Sequence, residues 1–227
     1  DHLDRYSKFS DYFNEKLKVF KNQDAKDILI LNRDAKELEG LDKNVKSKVL
    51  YYSRLTKTNG TYLKDNKIIC AIDGRNEYIC ATEDVKLKGL HNTGNVLVSS
   101  LAGILAGVKS ASIKNTVRNF NSLRHRFETV DIIGGVEYID DSKGTTVDST
   151  YRALESCEKP VILIAGGKDK NSNYNVIRGL VKKKVKYLIL IGEAGKRIEK
   201  ALGDAARAHE AGTMQEAVEL ARRLAKE

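Results

Sequence analysis

The residues of this sequence best suited to chemistry lie in short polar runs that follow apolar segments. One run, residues 141–146 (Asp-Ser-Lys-Gly-Thr-Thr), comes after a predicted strand and before a predicted helix. Unpaired backbone N–H groups at the start of a helix attract anions, and Lys143 adds a positive charge. The same run could instead form a helix cap through Thr145 or Asp148. Its spacing alone leaves an anion site and a cap as equal alternatives.

A second polar run, residues 166–170 (Gly-Gly-Lys-Asp-Lys), follows the apolar segment 161–165. Two glycines allow a ligand to approach the backbone closely, and Lys168 and Lys170 offer positive charge. The run is not a P-loop, because the pattern G-x-x-x-x-G-K-[ST] is absent from the chain. A plain turn is the commoner explanation of a Gly-Gly pair.

Two further groups of residues have suitable side chains. Asn92 and Asn95 are three residues apart at the start of a predicted helix, so their amides could hold a flat polar group such as a purine. Without further context, an N-cap beside an exposed Asn is the favoured explanation. Arg126, in a basic cluster, could bind a phosphate through two hydrogen bonds or pair with a surface carboxylate. His2, between two aspartates, is of metal-ligand type but resembles an ordinary surface residue when taken alone.

The hydrophobic pattern predicts two successive regions with a boundary near residues 123–125. The first has helices at 6–20, 92–106 and 113–120, strands at 28–31, 49–52, 68–72 and 78–81, and a four-residue turn at 73–76. The second has a hairpin centred on Gly134-Gly135, strands at 161–165 and 187–191, and helices at 175–181, 195–202 and from Thr213 onward. Such alternation predicts an α/β fold with a mainly parallel sheet covered by helices on both faces.

The composition limits the class of protein. Lys and Arg exceed Asp and Glu by 40 − 31 = 9, but the basic residues are scattered and no nucleic-acid motif accompanies them, so RNA binding is only a weak alternative. No window approaches about 18 consecutive apolar residues, so we predict no membrane partner. Cys70, Cys80 and Cys157 lack metal-ligand spacing. We expect Cys70 and Cys80 to be buried thiols in a reducing cytoplasm.

Taken in order, six motifs resemble the Mur ligase family along nearly the whole chain. They are D-H-L-D-R-Y from residue 1, Y-x-x-x-K from Tyr12, H-N-x-x-N from His91, H-R-x-E from His125, D-S-K-x-T from Asp141 and G-G-x-x-K from Gly166. The D-S-K-x-T form is similar to the branch that adds D-glutamate to UDP-N-acetylmuramoyl-L-alanine in peptidoglycan precursor synthesis. The Asn that follows this motif in the family is replaced by Thr146 here.

The resemblance implies a role for each matching residue. His2 would be a magnesium ligand, and Lys16 would become a second ligand once carbamylated. Asn92 and Asn95 would lie near the adenine of ATP, Arg126 at a phosphate and Asp141 at the ribose. Lys143, Thr145 and Lys170 would hold D-glutamate, with Lys143 and Lys16 also serving catalysis.

The resemblance also implies a domain organisation. Residues 1–124 would be part of a central ATPase-type α/β domain without its P-loop, and residues 125–227 a Rossmann-like C-terminal domain without its last strand. Because the sequence begins at Asp1, we expect the natural start to lie upstream, and we expect the 227 residues alone to be inactive. Two alternatives remain, namely another ligase of the superfamily such as a folylpolyglutamate synthase, and a truncated binding module without catalysis.

Overall fold

The computed structural model describes Tyr6 and residues 8–87, 89–169 and 171–226. These residues form two compact units. One consists of residues 13–121, and the other of residues 122–226 with the described residues among the first twelve. Both combine helices with a sheet, so the predicted α/β class is confirmed. No helix among the described residues is long and apolar enough to cross a membrane.

Helices and strands alternate less regularly up to residue 121 than in the rest of the chain. In chain order they are α1 (Phe9–Leu17), β1 (Ile28–Asn32), β2 (Lys48–Ser53), β3 (Gly60–Lys64), β4 (Lys67–Ile72), β5 (Arg75–Ala81), α2 (Leu90–Leu105) and α3 (Ser110–Asn119). The five strands form one sheet in sequence order, with β1, β2 and β3 parallel and with β3, β4 and β5 antiparallel. The sheet of this unit is therefore mixed.

The turns of this sheet differ from the sequence prediction. The predicted four-residue turn at 73–76 is wrong, because Ile72 pairs directly with Arg75 and only Asp73 and Gly74 form the loop. Both loop residues have positive φ, as a two-residue hairpin of type I′ requires. Strand β3 was not predicted, and it joins β4 through a similar turn at residues 65–66.

The core of this unit lies between its sheet and α2. Val96, Leu97 and Leu101 are buried along one side of α2 and pack against buried sheet residues such as Leu50. The hydroxyl of Thr61 on β3 donates to the backbone oxygen of Leu97 at 2.8 Å. Helix α2 is thus fixed on the sheet, which determines where its amino-terminal residues lie.

Elements after residue 121 show the predicted strand and helix alternation. They are β6 (Glu128–Ile133), β7 (Val136–Asp140), α4 (Val147–Ser156), β8 (Val161–Gly166), α5 (Arg178–Lys184), β9 (Val185–Ile191), α6 (Gly195–Leu202), β10 (Arg207–Glu210) and α7 (Met214–Leu224). Strands β10, β9 and β8 form a parallel sheet in that order, whereas β6 and β7 form the predicted hairpin. Strand β10 was not predicted.

Helices cover both faces of the parallel sheet. Leu188 and Leu190 on β9 pack into a cluster with buried residues of α4, α5 and α6. Tyr187 and Ile189, which point the other way, pack with Ala217 of α7. Alternation of side chains along a strand explains this division. The predicted mainly parallel sheet with two covered faces is therefore confirmed.

The ends of α4 are fixed by polar side chains. Its N-cap is Thr146, whose hydroxyl accepts from the Ser149 amide at 3.2 Å, so the alternative cap at Thr145 or Asp148 was wrong. At the other end, the ammonium group of Lys184 donates to three backbone oxygens at 2.6–2.9 Å, those of Leu154, Glu155 and Cys157. A cation at a helix carboxyl terminus is favoured by the helix dipole. These contacts fix α4 and the polar run that precedes it.

Candidate functional site

The first turn of α2 brings two predicted site residues together. The side-chain amide of Asn95 donates to Oδ1 of Asn92 at 3.1 Å, so both amides lie on one side of the helix. Asn92 is half-buried and Asn95 is exposed. Such a pair offers amide donors and acceptors close together, which suits a polar ligand such as a purine.

Arg54 lies beside this turn and was missed by the sequence analysis. Its guanidinium donates to the Leu90 oxygen at 3.4 Å, and its Cδ is 3.9 Å from the point where a Cβ on Gly94 would lie. Its backbone amide also donates to the Asp34 carboxylate at 2.7 Å. Arg54 lies close to the first turn of α2 because α2 packs on β2. No local pattern in the sequence indicates this contact.

Residues 122–128 and 140–146, which we call the paired loops, flank the β6–β7 hairpin and carry four predicted site residues. The Phe127 amide donates to Oδ1 of Asp141 at 2.9 Å, and the Lys143 amide donates to the His125 oxygen at 3.0 Å. Arg126 lies between these bonded residues in sequence. The structure therefore brings the backbones of Arg126, Asp141 and Lys143 together, with Thr145 two residues further along.

Further polar contacts within the paired loops centre on His125. Its Nδ1 lies 2.7 Å from Oδ2 of Asp140, and its backbone amide donates to Oε2 of Glu128 at 2.7 Å. The hydrogen bond from His125, together with one from the Ser142 amide, lowers the pKa of Asp140 from 3.8 to about 2. The sequence analysis assigned no role to His125, Glu128 or Asp140, although all three flank the predicted residues.

The exposed side chains of the paired loops can act on anions. Arg126, Lys143 and Thr145 are exposed, whereas Asp141 is half-buried. The carboxylate of Asp141 lies against Gly144, where an added Cβ would be 2.8 Å from Oδ2. A guanidinium, an ammonium and a hydroxyl on adjoining loops provide the donors that phosphates and carboxylates require.

Packing within the protein requires a glycine at the first position of the Gly-Gly run, at the end of β8. Gly166 has φ +155°, and a Cβ there would lie 1.7 Å from the Ile191 oxygen. The Gly167 amide donates to that same oxygen at 3.0 Å, and the Gly167 oxygen accepts from Ala194 at 2.9 Å. The run is thus joined to the loop after β9. Ligands of open α/β sheets bind at this carboxyl edge.

Helix α6 fixes the remainder of this loop. Nη1 of Arg197 lies 2.9 and 2.6 Å from the two carboxylate oxygens of Asp169 and 2.6 Å from Oδ1 of Asn171. The Asp169 side chain is 17% exposed and that of Arg197 is 42% exposed, so the ion pair lies at the surface. Beside it is a surface cavity of about 470 Å³ lined by residues 171–175, Arg197, Lys200 and Ala201. Lys170, the predicted site residue here, lies outside the described residues.

The predicted metal ligands are only partly described. Lys16 is exposed in the last turn of α1, and His2 lies outside the described residues. Within the part of the chain that the structure describes, one group of three His, Cys, Asp or Glu residues has ligand atoms within 4.8 Å of one another, namely His125, Glu128 and Asp140. That group was not predicted, and it does not include Lys16.

Comparison with protein families identifies two matching regions. Residues 1–103 match the Mur ligase middle domain, and residues 125–227 match the Mur ligase glutamate ligase domain. Curated relatives include two proteins named UDP-N-acetylmuramoylalanine–D-glutamate ligase, from Geotalea daltonii and Geobacter sp. strain M21. Each is 41% identical over 227 residues, which is 100% of this chain and 50% of the relative. The chain spans about half the length of these relatives.

Solved structures share the fold at low sequence identity. MurF from Acinetobacter baumannii has a TM-score of 0.74 at 12% identity, over 99% of this chain and 51% of that one. A pseudomurein peptide ligase type C from Methanothermus fervidus has a TM-score of 0.70 at 14% identity, over 100% and 56%. Mycobacterium tuberculosis folylpolyglutamate synthase complexed with ADP has a TM-score of 0.57 at 12% identity, over 88% and 48%. These structures show the fold, and the two matching domains, with the 41% identity over the whole chain, show that the chain belongs to the Mur ligase family.

Proposed function

We propose that the protein containing this chain uses ATP to join D-glutamate to UDP-N-acetylmuramoyl-L-alanine through an acyl phosphate. The observation that carries this proposal is the 41% identity to ligases named for D-glutamate, which extends over all 227 residues. The motif D-S-K-x-T at Asp141 agrees with that branch. The acceptor and D-glutamate are charged and water-soluble, so we also propose a cytoplasmic location and a role in making the peptidoglycan precursor.

The proposed nucleotide contacts come from two parts of the chain. Asn92 and Asn95 would hold the adenine, and their mutual hydrogen bond of 3.1 Å supports a common ligand. Arg126 would bind a phosphate, since its guanidinium is exposed and can donate two hydrogen bonds. Asp141 would accept a hydrogen bond from a ribose hydroxyl, and the bond from the Phe127 amide orients its carboxylate.

The proposed D-glutamate contacts are Lys143, Thr145 and Lys170. Two carboxylates on the amino acid require cations and hydroxyl donors, and Lys143 and Thr145 are exposed on one loop. Lys143 would also offset the charge of the tetrahedral oxyanion formed when the amine attacks the acyl phosphate. Exclusion of water from the site would protect the acyl phosphate from hydrolysis.

Magnesium would supply charge neutralisation for the transferring phosphoryl group. Its proposed ligands are His2 and Lys16, the latter as a carbamate. Lys16 is exposed, and the neutral form of its amine would add carbon dioxide with release of a proton. The resulting carbamate would provide the oxygen donors that a hard cation prefers. The domain division proposed with this function is residues 1–124 for ATP and residues 125–227 for the amino acid.

A phosphate-release assay tests the proposal. The protein translated from the whole reading frame should release phosphate only when ATP, UDP-N-acetylmuramoyl-L-alanine and D-glutamate are all present. Lys143→Ala should reduce that rate at least about a hundredfold, as removal of a charged transition-state contact commonly does. Lys159→Ala, in the connection between α4 and β8, is the matched control and should retain full activity.

Two alternatives give different results in the same assay. A folylpolyglutamate synthase-like enzyme would release phosphate with a folate acceptor and L-glutamate. A non-catalytic binding module would bind ADP or D-glutamate in calorimetry yet release no phosphate with any combination. Either result would contradict the proposed function.

A further inference from the structure

His125 forms three hydrogen bonds that reach three other residues. Its Nδ1 meets Asp140 at 2.7 Å, its amide donates to Glu128 at 2.7 Å, and its oxygen accepts from the Lys143 amide at 3.0 Å. Its φ is +65°, which is uncommon for residues other than glycine and is maintained only where surrounding contacts require it. The backbone and the side chain of this one residue therefore join both paired loops.

Both paired loops carry residues assigned to different ligands. Arg126, the residue after His125, is the proposed phosphate contact, and Lys143, bonded to the His125 oxygen, is the proposed D-glutamate contact. Nothing else in the proposed function uses His125. We propose that His125 is a positioning residue that fixes Arg126 relative to Lys143, so that the phosphate and the incoming amino acid meet at a set distance. This inference rests on the function proposed above.

The bond between His125 and Asp140 is suited to a permanent contact. The pKa of Asp140 is lowered to about 2, so its carboxylate remains an acceptor at any physiological pH. A second bond, from the Ser142 amide to Oδ1 at 2.9 Å, orients that carboxylate. Both the protonated imidazole and the neutral form with hydrogen on Nδ1 can donate to it. Asp140 can therefore accept from either form of the ring.

The same residues could be interpreted as a metal centre. His125, Glu128 and Asp140 place ligand atoms within 4.8 Å of one another. However, a metal on Nδ1 would replace the proton that the 2.7 Å contact with Asp140 requires, and Glu128 already accepts from a backbone amide. Hydrogen bonds account for all three side chains, so the positioning role is favoured.

Two substitutions separate the side chain from the backbone conformation. His125→Gly allows positive φ but removes the imidazole, whereas His125→Asn tolerates positive φ and retains a donor near the place of Nδ1. Asp204→Ala is the control, because it removes an ion pair with Arg178 in the same compact unit and outside the paired loops.

Hydrogen exchange and steady-state kinetics should be measured on the protein from the whole reading frame. In His125→Gly, the amides of Phe127 and Lys143 should exchange at least about tenfold faster, and KM for ATP and for D-glutamate should each rise about tenfold. His125→Asn should restore both measurements to within about threefold of the unmodified protein, and Asp204→Ala should change neither.

Each of these measurements can contradict the inference by itself. Unchanged exchange in His125→Gly would show that the side chain does not hold the loops. Faster exchange with unchanged KM values would show a merely structural residue. Calorimetric binding of Zn²⁺ that His125→Gly abolishes would replace the positioning role by a metal centre. If the unmodified protein has no ligase activity, the proposed function fails, while the exchange measurement still decides whether His125 fixes the loops.

Discussion

The carboxylate of Asp141 accepts a hydrogen bond from the backbone amide of Phe127, with 2.9 Å between Oδ1 and nitrogen. Phe127 has φ +47°, a conformation that a bulky side chain rarely adopts. The bond therefore stabilises an unfavourable backbone conformation where the chain enters β6. Asp141 combines a structural contact with a proposed contact to the ribose.

Substitutions of Asp141 should separate these two contacts. Asp141→Asn retains an acceptor for the Phe127 amide, so its free energy of unfolding should change by less than about 1 kcal/mol. Asp141→Ala leaves that amide without this acceptor, so its free energy of unfolding should fall by about 1–3 kcal/mol. Both variants should bind ADP more weakly, as measured by calorimetry. Equal stability of the two variants would contradict the structural contact.

The amide pair on α2 should contribute to nucleotide affinity. Asn95→Ala removes an exposed side-chain amide and should weaken ADP binding about three- to tenfold, the usual worth of a neutral hydrogen bond. Asn119→Ala is the matched control, since Asn119 also donates to an Asn one turn earlier, at 3.1 Å, but on α3. Calorimetry with both variants checks the assignment, and an equal loss in both would refute it.

Gly166 should be intolerant of any side chain. A Cβ there would lie 1.7 Å from the Ile191 oxygen at a positive φ, so β8 and β9 would have to separate. Gly166→Ala should lower the free energy of unfolding by at least about 2 kcal/mol in denaturant titration. Gly179→Ala in α5 has open space around it and should be neutral or stabilising by up to about 1 kcal/mol. Similar stability of both variants would contradict this packing.

Acid should remove the contribution of the Asp140 carboxylate. Its pKa in the folded protein, about 2, is lower than the ordinary value of 3.8, so the folded state binds the proton less readily than the unfolded chain. The resulting stability is present above about pH 4 and is lost as the pH falls toward about 2. The stability difference between the unmodified protein and Asp140→Asn should shrink across that interval. Val176→Ala, a control at an exposed position, removes no titratable group, so its stability difference should not change across that interval.

The sequence predicted the strongly apolar strands and missed two strands, β3 and β10, that contain few apolar residues. Residues 187–191 are apolar because β9 is buried on both faces, and such a run identifies a strand. Strand β10 consists of Arg-Ala-His-Glu and is a strand only because it pairs with β9. Strand β3 begins at Gly60 and contains few apolar residues. Strands β3 and β10 form because they pair with neighbouring strands. The local hydrophobic pattern does not reveal such pairing.

The contacts of the paired loops depend on a detail of register. A regular hairpin about Gly134-Gly135 would place Glu128 opposite Asp141. A bulge at Val130 shifts the pairing by one residue, so Glu128 lies opposite Asp140 instead. Asp141 then lies past the end of β7, where it meets the Phe127 amide. The motifs indicated which residues to consider, whereas the bulge decided which of them pair.

The central claim is that the protein joins D-glutamate to UDP-N-acetylmuramoyl-L-alanine. Its most direct test is mass spectrometry of the product formed by the protein from the whole reading frame, with ATP, that acceptor and ¹⁵N-labelled D-glutamate. We predict a nucleotide product that is heavier than the acceptor by one labelled glutamate residue, and no such product when L-glutamate replaces D-glutamate. A product formed equally from L-glutamate, or an unchanged acceptor under all conditions, would contradict the claim.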